Sequence, residues 1–142
     1  MRLLFVITVF SFLILSGHGA EAQTNPITIT QISDLNFGSA FLGDPGKNVN
    51  RGRVDNAENA SFLITGDRGS TFNVTLPNRI WITHATSGDR IRVRRFRSRP
   101  NSSGRIRNNG ERLLLVGARR NAIPQNISTG FYSGSFTVTV IY

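Results

Sequence analysis

The chain has 142 residues, no cysteine and a formal net charge of +9. The missing cysteines exclude disulfide staples, thiol catalysis and cysteine-held metal, and leave stability to sheet packing or to association with other chains. Of the 17 basic residues all but Lys47 are arginine, a balance that suits anionic partners such as nucleic acid, lipopolysaccharide, anionic glycans or acidic protein faces without choosing among them.

The first segment sets the expected compartment. Met1-Arg2 is a positive start, residues 3–15 are almost unbroken apolar sequence, and Ala20-Glu21-Ala22 is a small-residue cleavage site. This is the order of a secretory signal peptide, expected over residues 1–22. The apolar run falls short of the ~20 residues that span a bilayer. Cleavage after Ala22 leaves Gln23 at the mature terminus and one expected domain over residues 23–142. Arg2 and Glu21 cancel, so the mature chain keeps its +9, and no second run of membrane length follows. The protein is expected to be exported, to the periplasm, the cell surface or the medium.

Beyond the signal, apolar and polar residues alternate with the period of half-buried strands, and no stretch has a helical period. Ile27 and Ile29 share one parity, with Thr28 and Thr30 between them; Leu35-Asn36-Phe37-Gly38 follows, then a turn cluster at Gly43-Asp44-Pro45-Gly46. Strands are expected at residues 61–65 and 71–76, with Gly66-Asp67-Arg68-Gly69 as a tight hairpin, and around Trp81 with its neighbours Ile80 and Ile82. Residues 89–96 form a further strand with Ile91 and Val93 on one face and Arg90, Arg92 and Arg94 on the other. Residues 100–104 read as a polar loop and 112–116 as a short buried run. The clearest strand is the last: Tyr132, Gly134, Phe136, Val138, Val140 and Tyr142 hold one parity up to the final residue. Phe62, Phe72, Trp81, Tyr132 and Phe136 are expected in the core. Seven or eight such strands, with turn signals about every ten residues, define an all-β sandwich. An apolar-faced strand at an open edge invites a strand from another chain; a strand already flanked on both sides does not. The pattern leaves both open.

Several short motifs stand in a fixed order: Leu35-Asn36-Phe37-Gly38, Phe62-x-Ile64-x-Gly66, Val74-x-Leu76-Pro77, Val116-Gly117 and Gly130-x-Tyr132-x-Gly134-x-Phe136-x-Val138-x-Val140-x-Tyr142. Together they resemble the DUF4402 family of bacterial exported domains, which is similar to spore-coat-U-like and archaic chaperone–usher pilin subunits. The resemblance spans about residues 25–142. It implies an immunoglobulin-like sandwich, with the question open whether the final strand is missing. It also implies that a periplasmic chaperone, and then the N-terminal extension of another copy delivered at an usher, fills the resulting groove. The groove wall implied is Gly130, Tyr132, Gly134, Phe136, Val138, Val140 and Tyr142. Those subunits carry a glycine and a near-terminal aromatic twelve residues apart, as Gly130 and Tyr142 are here, although Tyr142 is the last residue and not the penultimate one. Ile27, Ile29 and Ile32 are either donor knobs or part of the domain's own first strand; residues 23–33 leave little room for both.

No constellation for catalysis is visible. The mature acids Asp34, Asp44, Asp55, Glu58, Asp67, Asp89 and Glu111 are dispersed, mostly in expected turns, with no pair at acid–base spacing. His84 is the lone mature histidine, too little for a metal site. There is no G-x-S-x-G elbow, and the glycine-rich turn lacks the Lys-Ser/Thr of a phosphate loop. No cofactor or metal is expected, and the chain is not expected to be an enzyme. Arg90, Arg92, Arg94, Arg95, Arg97 and Arg99 fall within ten residues. Their guanidinium forks suit phosphate, sulfate and carboxylate; the plainer reading is a solvated strand that resists edge pairing by repulsion. Two functions are therefore expected to compete. One is a structural subunit of a surface fibre or coat assembled by strand complementation. The other is a monomeric module holding anionic glycan, lipopolysaccharide or DNA on its arginine face.

Overall fold

The computed structural model describes residues 25–142; the expected signal peptide and its cleavage site lie outside the described residues. Ten strands and no helix occur among those residues. They are β1 (Thr28–Ser33), β2 (Lys47–Val49), β3 (Ala60–Thr65), β4 (Thr71–Thr75), β5 (Arg79–His84), β6 (Arg90–Arg99), β7 (Ser103–Arg105), β8 (Glu111–Arg120), β9 (Tyr132–Ser133) and β10 (Thr139–Ile141). All pairings are antiparallel. The large sheet runs β1-β3-β8-β6-β5-β9, with β2 continuing beside β8 on the edge that β3 leaves; the small sheet runs β10-β4-β7. The result is an all-β sandwich, the class the alternation predicts.

Alternation explains which faces meet. Phe72 and Val74 of β4, Phe62 and Ile64 of β3, Ile82 of β5, Ile91 and Val93 of β6, and Leu114 and Val116 of β8 all turn inward, and Leu35, Phe37 and Ile106 join them from loops. In β5 the same rule overturns one expectation. Ile80 and Ile82 turn inward, so Trp81 between them must turn outward, and it is 42% exposed. Phe62, Phe72, Tyr132 and Phe136 are buried.

Three further expectations are corrected, and two short strands gave no sign in the sequence. Gly66–Gly69 is not a hairpin within a sheet: β3 belongs to the large sheet and β4 to the small one, so the turn arches across the sandwich. The two short strands β2 and β7 carry one apolar residue between them, Val49, and so give no periodic signal. The strand β7 begins inside the expected polar loop because Gly104 lies against the Phe72 ring, where a Cβ would stand 2.5 Å from both the ring tip and the Pro100 Cγ. The C-terminal run is two strands and not one. Tyr132–Ser133 pairs with β5 in the large sheet and Thr139–Ile141 with β4 in the small sheet, and residues 134–138 cross between them.

Candidate functional site

Two regions collect the residues singled out by sequence. The first is the C-terminal crossing. Gly130 has φ +143°, and a Cβ there would collide with the His84 imidazole. His84 Nδ1 accepts from the Ser87 amide (2.9 Å), which leaves Nε2 to donate to the Thr129 carbonyl (3.1 Å). His84 thus ties the β5–β6 turn to the segment entering β9. Asp89 completes that junction, accepting from the Ser128 amide (2.8 Å) and the Ser87 hydroxyl (2.9 Å). The backbone hydrogen bond from Ser128 holds its carboxyl below the usual carboxylate range. Tyr132 donates its hydroxyl to the Ser128 carbonyl (2.6 Å), and burial pushes its ionisation upward. Gly134 then passes against the Trp81 carbonyl, where a Cβ would stand 2.6 Å away.

Past Gly134 the chain leaves the large sheet, yet its alternation persists. Phe136, Val138 and Val140 remain buried. Phe136 meets Phe62 edge-on at 6.5 Å between ring centroids and Phe96 at 5.0 Å. Tyr142 closes the run: its hydroxyl donates to the Asn25 carbonyl (3.0 Å) and accepts from the Asp67 amide (2.9 Å).

Among the described strands, β10 is an edge, with β4 on one side only. The direction of its backbone follows from β4. Val74 donates its amide to the Ser102 carbonyl (2.7 Å), and the Ser70 carbonyl accepts from Ile106 (2.9 Å). The even-numbered residues of β4 therefore turn their polar backbone groups toward β7. Val140 is paired in register with Val74, so this is a pair without mutual hydrogen bonds. The N–H and C=O of Val140 then point away from β4, to the open edge, while Thr139 and Ile141 face Thr75 and Asn73.

The residues read as donor knobs or first strand lie at the edge of the large sheet. From Thr28 to Ser33, β1 pairs with β3 of the same chain, with an irregularity between Gln31 and Ser33. Ile27 and Ile29 pack on the core, whereas Ile32 falls at the irregularity and is 54% exposed.

The second region is the outer face of the large sheet. Arg90, Arg92 and Arg94 alternate with the buried Ile91 and Val93. A strict period of two would then send Arg97 and Arg99 into the core. A bulge prevents this: Arg94 pairs with Arg119 but Arg97 with Gly117, so Arg95 and Phe96 together oppose Ala118. Arg95 takes φ +56°. The extra residue reverses parity, so Phe96 and Ser98 turn inward and Arg97 and Arg99 rejoin the outer face. Trp81 lies on the same face with the guanidinium of Arg92 4.9 Å and that of Arg90 5.6 Å from its ring centroid.

Sequence reasoning missed Arg79, Arg119 and Arg51, which share this face but sit far away in the chain. Arg79 pairs with Arg94, and Arg94 with Arg119. Only the strand order reveals that neighbourhood. Arg120 is different: it is buried, donates to the carbonyls of Asn121 (3.1 Å) and Pro45 (3.2 Å), and has its pKa lowered by desolvation. No group of three or more metal-ligating side chains occurs among the described residues.

The fold and these two regions define an all-β sandwich with an open edge at its last strand and an arginine-rich outer face. The chain belongs to the family described as "Domain of unknown function (DUF4402)", whose model matches residues 27–142. No curated protein and no solved structure matches the chain.

Proposed function

We propose that this chain is an exported structural subunit of a bacterial surface fibre or coat, and that it assembles by β-strand complementation along β10. The observation that carries the reading is Val140. Its backbone N–H and C=O face an open edge, and its side chain belongs to a buried row with Val138 and Phe136. An incoming strand would satisfy those groups and extend the small sheet, the β-augmentation mode of recognition. The resemblance carried by the motif order, to spore-coat-U-like and archaic pilin subunits, supports the same reading; the partners we propose on it are copies of this chain, with a periplasmic chaperone and usher handling it first. The chain then works by association and not by catalysis, in keeping with its dispersed acids.

The strand β1 is seated in its own sheet, so a donor segment from a second copy must leave that seat before it can serve a neighbour. A peptide spanning residues 23–34, added in excess to the purified 23–142 chain, tests this. The chain alone is expected to be polydisperse by light scattering. The peptide is expected to reduce it to a single species and to raise its Tm by several degrees, the shift that about 1–2 kcal/mol of added pairing gives a domain of this size. A monodisperse, cooperatively melting monomer that ignores the peptide would overturn the proposal.

A further inference from the structure

We propose that the outer face of the large sheet is a binding site for an acidic polysaccharide, one bearing sulfate or carboxylate groups along its length. This goes beyond the fibre-subunit reading and does not depend on it. The first argument is a row. Arg79 of β5, Arg94 of β6 and Arg119 of β8 stand in register on three adjacent strands, and Asn48 of β2 extends the row to a fourth. Adjacent strands lie ~4.8 Å apart, and like charges placed directly opposite each other destabilise a sheet. Among the described residues no carboxylate is found within salt-bridge distance of Arg79, Arg94 or Arg119 to offset the row. A bound polyanion offsets it.

The second argument is a cleft. Beside the row, a depression of about 440 Å³ is lined by Arg51, Arg95, Arg97 and Arg119 with the amides of Asn48 and Asn50. Gly117 also lines it. A Cβ at that position would stand 2.5 Å from the Arg51 nitrogen and closer still to the Val49 carbonyl, so only glycine lets the chain leaving β2 cross over β8 and form the cleft wall. Arg51 is fixed there by donating Nη1 to the Ser98 carbonyl (2.7 Å). The bulge at Arg95 adds two more guanidinium groups to the opposite wall. Bulge, glycine and crossing thus converge on one polar cavity holding four cations.

The ligand class follows from what surrounds the cations. Guanidinium forks bind sulfate and carboxylate in two-point fashion, and the asparagine amides suit hydroxyl groups. Trp81 offers one exposed ring, held by Arg90 and Arg92. Single-stranded nucleic acid is held on a succession of stacking aromatics, and this face has one. A duplex groove is read by an inserted helix or ribbon, and this face is the flat side of a sheet.

The test is calorimetric titration of the 23–142 chain at roughly 50 mM salt with three probes of equal length: a sulfated dodecasaccharide, a uronate dodecasaccharide and a twelve-nucleotide single-stranded DNA. At least one glycan is expected to bind saturably and more tightly than the DNA, and the two glycan arms separate sulfate from carboxylate preference. Arg94→Gln and Arg97→Gln are each expected to weaken glycan binding by about tenfold, whereas Arg68→Gln, on the β3–β4 turn, leaves it unchanged. Because the row repels itself, Arg94→Gln is also expected to keep or raise the Tm, which separates loss of the site from loss of the fold. DNA binding as tight as glycan binding, no saturable glycan binding, affinities that ignore Arg94 and Arg97, or a clear fall in Tm for Arg94→Gln would each overturn the proposal.

Discussion

Replacing Phe136 by alanine is expected to lower the stability of the domain by about 3–5 kcal/mol, the range for removing a fully buried aromatic ring. The residue lies in the crossing between the two sheets, outside both ladders, where a side chain is ordinarily dispensable. Here its ring is 4% exposed and touches Phe62 from one sheet strand and Phe96 from another. Alanine leaves a cavity beneath the segment by which the C-terminal run crosses between the two sheets. Chemical denaturation of Phe136→Ala beside the parent chain measures the loss. A loss under about 1 kcal/mol would mean that the crossing is held by its neighbours alone.

Gly117→Ala is expected to cost about 3 kcal/mol, at the upper end of overpacking penalties. The added methyl meets backbone on the Val49 to Arg51 crossing, and backbone cannot rotate away as a flexible side chain can. The crossing has to lift, which also opens the wall of the arginine cleft. Arg51 would then lose its donation to the Ser98 carbonyl. Thermal melting reads the first effect. Gly88→Ala is a useful comparison, since a Cβ at Gly88 meets nothing within 4 Å although its φ is +77°. The two variants separate the causes, since Gly88→Ala carries only the strain of a positive φ, whereas Gly117 has no positive φ and its cost is steric.

The sandwich was legible because most of its strands bury one face, and burial on one face writes period two into the sequence. Phe72 and Val74, Ile80 and Ile82, and Ile91 and Val93 point to their strands this way. Where the code was silent, burial was carried by something other than alternation. The strand β2 is held by its pairing to β8 and β7 by a glycine under a ring, neither of which leaves an apolar period. The last strand misled for the converse reason. Alternation from Tyr132 to Tyr142 reports one continuous buried row of side chains, and that row exists. It does not report hydrogen bonding, which changes from one sheet to the other along the row. The arginine face was visible only in its β6 portion. Arg97 and Arg99 join it through the Arg95 bulge, and Arg79, Arg51 and Arg119 join it through strand order, which no local pattern encodes.

The open edge of β10 is the feature on which the assembly account rests, and Val140 reports on it by residue. In the isolated chain its amide faces outward, while the amides of Thr139 and Ile141 face β4. Amide hydrogen exchange followed by NMR on the monomer fraction isolated by gel filtration, with and without the peptide spanning residues 23–34, should therefore show fast exchange at Val140 and slow exchange at its two neighbours in the free monomer. On complementation Val140 should slow by at least about 100-fold, with Thr139 and Ile141 little changed. A Val140 amide already protected in the free monomer, or one still exchanging freely in the complemented state, would contradict strand addition at this edge.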